Sequence, residues 1–475
     1  MASNFLTLGS AEIVCRTASV MLTLTLAKRL DPTGFGRIEF AFNLVFWLVL
    51  IVRDCFETVI TREIARHPRL TRSLVNHVLA AKLTLAAGLL VALSVTSPFV
   101  FSEPVDRWLL IFYGLLLVTT ALGLDFVFRG TERMTVVAVS LLLRTAVYCG
   151  GVWYWVNGPS RVLLVPLWLA CGELTGIAMV WVVYAKKYGI PRPVLGLRFL
   201  GVFLKRGRSV GLIHLCQAVI VSADLLVVGV MSRWSDVGRY GAPHRMVSAV
   251  MAFGMIFQQV VFPALSRNWR VSPDAVRRLL DFAVRVLVSG FVPVAVGATL
   301  LSGPLVAFLL PPEYRGSGLL LAVGVWKAPL LCLAFLYQSA LIATNRETQG
   351  LRLLAWGAAC SAPLVALLHW RLGLLGAALA VLTIGVGLVV AGYFCLSRGP
   401  CRPAGHHHLG RPLLASAVMV PICLLALRVH VVASVGSGAL TYAVVMRLIG
   451  GWNFPVMSAD GFIVPPAASA DDAPV

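Results

Sequence analysis

Charge is scarce in this chain. Only 13% of its 475 residues are Asp, Glu, Lys or Arg, against about a quarter in a soluble domain. Acid is scarcer than base, with 20 Asp and Glu against 40 Lys and Arg. That poverty, with 59% hydrophobic residues and a mean hydropathy of +0.87, excludes an ordinary soluble globular protein. The ten cysteines form no C-x-x-C pair and fall mostly in apolar runs, where cysteine behaves as a small hydrophobe. No disulfide framework, metal site or cofactor is expected. His406, His407 and His408 are adjacent in a polar loop, and three neighbouring imidazoles cannot converge on one ion without a fold to hold them. Residues 1–10 lack a basic n-region, and no small-residue cleavage site follows the first apolar run, so that run is read as retained.

What is present is apolar stretch after apolar stretch. A net charge of +20 raises nucleic acid as a partner, but basic residues collect in the cytoplasmic loops of membrane proteins, and no nucleic acid is expected. The same excess suits membrane lipids with anionic headgroups, or an anionic substrate. Windows of about 19 residues place helices at 7–30, 40–60, 75–95, 108–128, 135–156, 162–184, 210–231, 243–265, 282–301, 318–344, 351–370, 374–396 and 412–432. A weaker stretch, 435–449, is a candidate fourteenth. Each is about the roughly 20 residues needed to cross a bilayer core. The expectation is an all-α integral membrane protein with 12–14 spans. Residues 453–475, rich in Ala, Pro and Asp, read as a disordered tail. With the N-terminus cytoplasmic, the inside loops carry well over twice as many Lys and Arg as the outside loops, which fixes that orientation.

An internal repeat is visible. Gly36-Arg37-Ile38 follows the first helix, and Gly238-Arg239-Tyr240 follows the seventh. Arg66 lies just beyond the second helix as Arg267 lies beyond the eighth. An even number of helices per repeat gives both halves one orientation, the parallel-repeat arrangement of some secondary transporters. The expected organisation is a six-helix bundle at 1–184, a basic cytoplasmic linker at 185–207, a second six-helix bundle at 208–397 and additional helices at 398–452. Substrate is then expected between the bundles.

Charges inside the apolar runs are the candidate functional residues, because each costs about 3 kcal/mol in lipid. Glu12 and Arg16, Arg53 and Glu57, and Asp125 and Arg129 stand four apart and can neutralise each other on one helix face. Arg144, Glu173, Asp224, Arg245 and Lys327 lack an in-helix partner. Asp224 and Arg245 could pair between neighbouring helices. The helices that carry them, 210–231 and 243–265, are joined by a polar turn at 232–242. Alternatively Arg16, Arg53, Arg144, Arg245 and Lys327 line a cavity that attracts phosphate. A guanidinium suits phosphate because its planar fork donates two parallel hydrogen bonds and stays charged. Glu173 and Asp224 are the candidates for binding a coupling proton or sodium ion. Gln217, Gln258, Gln259 and Gln338 could meet sugar hydroxyls or simply join helices. Pro263, Pro293, Pro329 and Pro363 could kink helices and act as hinges. An enzyme is not expected: the outer loops are short and hold no paired carboxylates, Ser/His/Asp set or metal spacing.

Several of these motifs together resemble the polysaccharide biosynthesis flippases, the O-antigen-type oligosaccharide-lipid translocases of the MOP superfamily, relatives of the MATE transporters. The resemblance is carried by Leu26-Ala27-Lys28-Arg29-Leu30 with Gly34-Phe35-Gly36, and by Thr61-Arg62-Glu63-Ile64-Ala65. It continues in Asp224-Leu225-Leu226, Val237-Gly238-Arg239-Tyr240, Arg245 and Phe262-Pro263-Ala264-Leu265-Ser266. Tyr314 and Gly373-Leu374-Leu375-Gly376-Ala377-Ala378 extend it into the later half. Pro243 and His244 depart from the small and aromatic residues the family places before Arg245. The resemblance implies an undecaprenyl-pyrophosphate oligosaccharide moved from the inner to the outer leaflet of a bacterial plasma membrane by alternating access. It also implies polysaccharide polymerase machinery as a partner. Alternatives are a lipid II flippase, a multidrug antiporter of the MATE type, whose cationic substrates call for an acidic cavity, and a membrane polysaccharide polymerase or ligase.

Overall fold

The computed structural model describes residues 2–194, 196–399, 410–451, 456–457 and 463–464. His406–His408 lie outside them. Apolar runs become helices almost everywhere, as they must where backbone polar groups cannot bond water. Thirteen helical segments among the described residues are long and apolar enough to cross a membrane.

The chain divides into two compact units, Met1–Ala242 and Pro243–Val475. The first holds α1 (Ala2–Arg29), α2 (Pro32–Arg66), α3 (Thr71–Val100), α4 (Pro104–Leu122), α5 (Asp125–Gly130), α6 (Met134–Trp155), α7 (Leu164–Tyr188) and α8 (Leu197–Met231). The helix α9 (Trp234–Trp269) begins in it. Local chemistry starts α2: the Gly34 amide donates to Asp31 Oδ1 at 2.7 Å, and Pro32 occupies the first turn, where its missing N–H costs nothing. The core of this unit gathers Phe56, Ile60 and Ile64 of α2 with Val75, Val78, Phe126, Phe128, Val180 and Tyr184.

The long axis of the unit is the α2–α8 seam, where the two helices run antiparallel with almost nothing between them. A Cβ on Gly207 would strike the Cys55 carbonyl, and one on Gly211 would sit 3.5 Å from the Cys55 backbone and nearer still to its sulfur. A Cβ on Gly229 would strike the Phe40 ring. The spacing of Gly207 and Gly211 is the small-xxx-small pattern that lets membrane helices touch backbone to backbone. Trp47 Nε1 donates to Ser222 Oγ at 2.8 Å across the same seam.

At the end of the seam the repeat closes on itself. A Cβ on Gly36 would strike the Trp234 carbonyl, and a Cβ on Gly238 would strike the Pro32 carbonyl. The two contacts exchange equivalent residues, which is the mark of a local two-fold between the first turns of α2 and α9. Here the structure corrects the expected polar turn at 232–242. Only Ser232 and Arg233 separate α8 from α9. The polar residues after them stay helical because Asp236 pairs with Arg239 at 3.6 Å and the Tyr240 hydroxyl donates to Asp224 Oδ2 at 2.8 Å. The expected linker at 185–207 is likewise helical from Leu197 onward.

The second unit takes in the rest of α9 and then α10 (Pro273–Leu300), α11 (Ser302–Leu309), α12 (Gly318–Gly324), α13 (Lys327–Ala343), α14 (Glu347–Ser397), α15 (Gly410–Leu427) and α16 (Val431–Leu448). At 51 residues α14 would be about 76 Å long if straight, far more than a bilayer core of about 30 Å. Gly373 breaks it with φ 61° and ψ −147°. That backbone costs glycine little and other residues much. A Cβ on Gly376 would strike the Leu368 carbonyl, so the chain folds back sharply there. The two arms match the separate helices expected at 351–370 and 374–396, so the longest of the thirteen candidate segments among the described residues holds two helices. The weaker stretch at 435–449 is realised in α16, which packs on α15 through Met419, Cys423, Tyr442 and Met446. Tyr442 anchors the pair by donating to the Ser289 carbonyl of α10 at 2.7 Å. Two-residue strands, β1 (Val456–Met457) and β2 (Ile463–Val464), pair antiparallel. The rest of 453–475 lies outside the described residues.

Candidate functional site

In the first unit the charges meant to sit in lipid meet one another. Arg144 on α6 is the hub. Its fork donates to Asp125 Oδ2 at 2.6 Å and Glu173 Oε2 at 3.0 Å, and its Nε donates to Ser140 Oγ at 3.1 Å. Lys82 on α3, wholly buried, donates to Glu57 Oε1 at 2.7 Å and lies 5.4 Å from the Phe126 ring centre. Arg53 on α2 donates to Asp54 through Nε at 2.8 Å and through its terminal nitrogen at 3.4 Å. The other side of Asp54 meets His214 Nδ1 of α8 at 3.0 Å. These three groups form one electrostatic neighbourhood: Arg53 feels Glu57 and Glu173, and Arg144 feels Glu57.

Burial explains the geometry. An ion pair removed from water persists only when its remaining donors and acceptors are filled, and one partner left alone costs several kcal/mol. This demand overrides the weak preference of about 0.3–0.5 kcal/mol for partners four residues apart. Two of the three in-helix pairings anticipated from spacing are corrected on that ground. Glu57 turns to Lys82 rather than Arg53, because the buried ammonium needs it. Asp125 turns to Arg144 rather than Arg129, because the mostly buried Arg144 guanidinium needs it whereas Arg129 is exposed. Glu12 and Arg16 make no ion pair among the described residues, and Arg16 is half-buried. Arg144 and Glu173, which lack partners on their own helices, are each other's partners. The alternation of charge over five helices was invisible to spacing rules. Lys82, Asp54 and His214 were missed, although a lone lysine and a lone histidine inside apolar runs were the available signal.

The remaining candidates lie elsewhere. Asp224, 1% exposed, accepts from the Tyr240 hydroxyl at 2.8 Å and from the Leu225 amide at 2.9 Å. In the second unit Arg245 is half-buried on α9, and Lys327 is buried at the first turn of α13. Gln258 Nε2 donates to the Cys332 carbonyl at 3.0 Å, a helix-joining role. Among the described residues no His, Cys, Asp and Glu grouping could hold a metal ion.

Arg37 Nε lies 3.3 Å from Asp106 Oδ1 of α4, beside Trp234 of α9. Trp234 packs edge-on to Phe40 at 5.5 Å and along Phe101 at 6.3 Å.

A family described as "Polysaccharide biosynthesis protein" matches residues 1–269, which contain the whole charged network. The fold matches a solved structure of the lipid II flippase MurJ in an inward closed conformation, with a TM-score of 0.76 at 12% identity over 94% of this chain and 98% of that one. It also matches an inward-facing multidrug resistance MATE family transporter of the MOP superfamily, with a TM-score of 0.65 at 12% identity over 80% of this chain and 94% of that one. A third is the MATE multidrug transporter DinF-BH, with a TM-score of 0.61 at 16% identity over 84% and 95%. No curated protein sequence matches the chain.

Proposed function

The chain belongs to the polysaccharide biosynthesis protein family, and from that premise we propose that it is a flippase for an undecaprenyl-pyrophosphate-linked oligosaccharide. It carries the repeat unit from the inner to the outer leaflet of a bacterial plasma membrane by alternating access, with its N-terminus cytoplasmic, and performs no covalent chemistry. The observation that carries the reading is the family match over the stretch that buries the charged network. The MOP-type fold supports a transporter rather than a polymerase or ligase.

The pairings sharpen which cations serve the pyrophosphate. Arg144 spends its fork on Asp125 and Glu173, so its role is to shape the field of the site. Arg53, with a side chain 42% exposed, keeps one terminal nitrogen unused by Asp54. Arg16 is half-buried with its guanidinium unpaired among the described residues. These two are the phosphate ligands assigned to the first unit, and Arg245 and Lys327 those of the second. Asp224 and Glu173 remain the carboxylates assigned to ion coupling.

The test is export of surface polysaccharide in cells lacking their own flippase. Arg16→Ala and Arg53→Ala are expected to cut export about tenfold or more at equal protein level, the loss of one charge-assisted phosphate contact. Wild-type export by both variants sinks the phosphate assignment. Lipid II, the substrate in the name of the MurJ neighbour, carries the same polyprenyl pyrophosphate; complementation of a strain depleted of its lipid II flippase separates that reading.

A further inference from the structure

A stretch of the second unit is bounded by two helix breaks that are tied to each other. The first break is Leu301, with φ −97° and ψ 9°, between α10 and α11. The second is Val325–Trp326, between α12 and α13. Pro329 accounts for the second. Having no N–H, it cannot bond the Val325 carbonyl as a helical residue would, and the Ala328 amide takes that carbonyl at 3.1 Å instead. The Trp326 amide likewise turns to the Val323 carbonyl at 3.3 Å. The Ala322 carbonyl, which a regular helix would pair with that amide, accepts from the Thr299 hydroxyl of α10 at 3.1 Å. The Trp326 indole donates to the same hydroxyl oxygen at 3.1 Å. Thr299 stands just before the first break, so one side chain joins both.

Between the breaks, residues 302–324 form a body of their own. Here α11, the 3-10 turn Pro312–Ser317 and α12 pack on one another. Gly318 lies so close to Gly303 that a Cβ on it would stand 3.2 Å from the Gly303 Cα. Val306, Leu310, Tyr314, Ser317 and Leu321 are buried. The rest of the second unit meets this body chiefly through α10, α14 and α16. The Phe308 ring stands edge-on to His430, the N-cap of α16, at 5.4 Å. The tie between the breaks can be released at low cost. A hydroxyl has one proton, and Thr299 has two carbonyls within reach: Ala322 across the break at 3.1 Å and Ala295 on its own helix at 2.7 Å. When the body moves away the proton settles on Ala295, the ordinary bond of a helical threonine, and the Ala322 carbonyl alone loses the hydroxyl.

We propose that residues 302–324 are a lid that swings about Leu301 and Val325–Trp326, with Thr299 and Trp326 as its latch. Hinges of this kind are a few residues at element ends that absorb the backbone change. Lys327 is the first residue of α13, directly beyond the second hinge. A swing there moves the buried ammonium assigned above to the pyrophosphate. With the N-terminus cytoplasmic, the stretch between α10 and α13 lies on the outer side, and the open lid is the state that releases the lipid head. The release half of this statement rests on the flippase reading; the lid does not.

Two measurements separate them. The first is hydrogen–deuterium exchange of the purified full-length protein with no lipid substrate. Thr299→Val keeps the shape of the side chain and removes the latch. It is expected to speed exchange in 302–309 and 318–326 together by about fivefold, the worth of one hydrogen bond, with α15 and the first unit unchanged. Trp326→Phe is expected to do the same to a smaller extent. Exchange equal to wild type in both variants overturns the lid. So does a rise confined to 322–326, which is fraying at one break, or a rise spread over the whole second unit, which is general loosening. The second measurement holds the lid shut. Phe308→Cys and His430→Cys are placed in a cysteine-free chain that exports polysaccharide at the wild-type level, and are joined by a short, cleavable thiol cross-linker. Export in cells lacking their own flippase is expected to fall about tenfold or more on joining, as when a conformational step is blocked, and to return on cleavage. Full export by the completely cross-linked protein overturns the role in release. The expected exchange pattern in a chain that supports no export before cross-linking leaves the lid standing and sinks the flippase reading.

Discussion

The two copies of the internal repeat show what a close backbone contact dictates and what it leaves open. At Gly36 and Gly238 the copies are interchangeable, since each glycine meets a carbonyl of the other copy and neither position has room for a Cβ. One residue further on they part. Arg37 reaches across to Asp106 on α4, where both side chains are mostly buried, whereas Arg239 pairs with Asp236 on its own helix with 46% of its side chain exposed. Backbone contact enforces the same residue twice. Side chains answer to whatever stands beside them, and α4 brings Asp106 to Arg37.

The sharpest way to break this comparison is to fill the contact. Gly36→Leu and Gly238→Leu should each destabilise the protein by about 3 kcal/mol or more, because the neighbour is backbone and cannot step aside. Fluorescence-detected gel filtration after heating reads the loss. A much smaller effect at one position than at the other would show that the contact is not a true two-fold exchange. Next in size is Glu57→Gln, which strands the buried Lys82 ammonium and should cost about 3 kcal/mol in the same assay. Replacing the pair together by Glu57→Leu and Lys82→Met should recover most of that, as buried ion pairs often tolerate apolar substitution of like volume. Failure of the double variant to recover would mean that the pair is tied into the Arg53 and Arg144 groups too tightly to be removed alone. Smallest is the side-chain divergence itself. Arg37→Ala should cost about 1–2 kcal/mol by leaving Asp106 buried, and Arg239→Ala about 0.5 kcal/mol or less, the usual worth of an exposed pair. Equal costs would erase the asymmetry between the copies.

The helices were legible because hydropathy is a local property. Runs such as 75–95 and 351–370 have nowhere to go but a bilayer, and the break expected between 351–370 and 374–396 falls at the Gly373 turn. The ends were less legible. The segment 234–242 is polar, yet it is helical, and the Tyr240 hydroxyl ties it to Asp224 of the preceding helix. The charged residues were legible as exceptions to the apolar pattern, but not as partners. Spacing proposed Arg53 for Glu57, whereas Lys82, 25 positions further on, is the residue that needs it.

The amino-acid order alone therefore pointed to a chain that lives in a membrane, to 12–14 crossings, and to a Gly-Arg motif repeated in its two halves. Each of those follows from the cost of putting polar groups or bulky side chains where there is no room or no water. Which acid neutralises which base was decided only when five helices came together. Electrostatic pairing depends on distance in space, and distance in space is what a linear sequence does not contain.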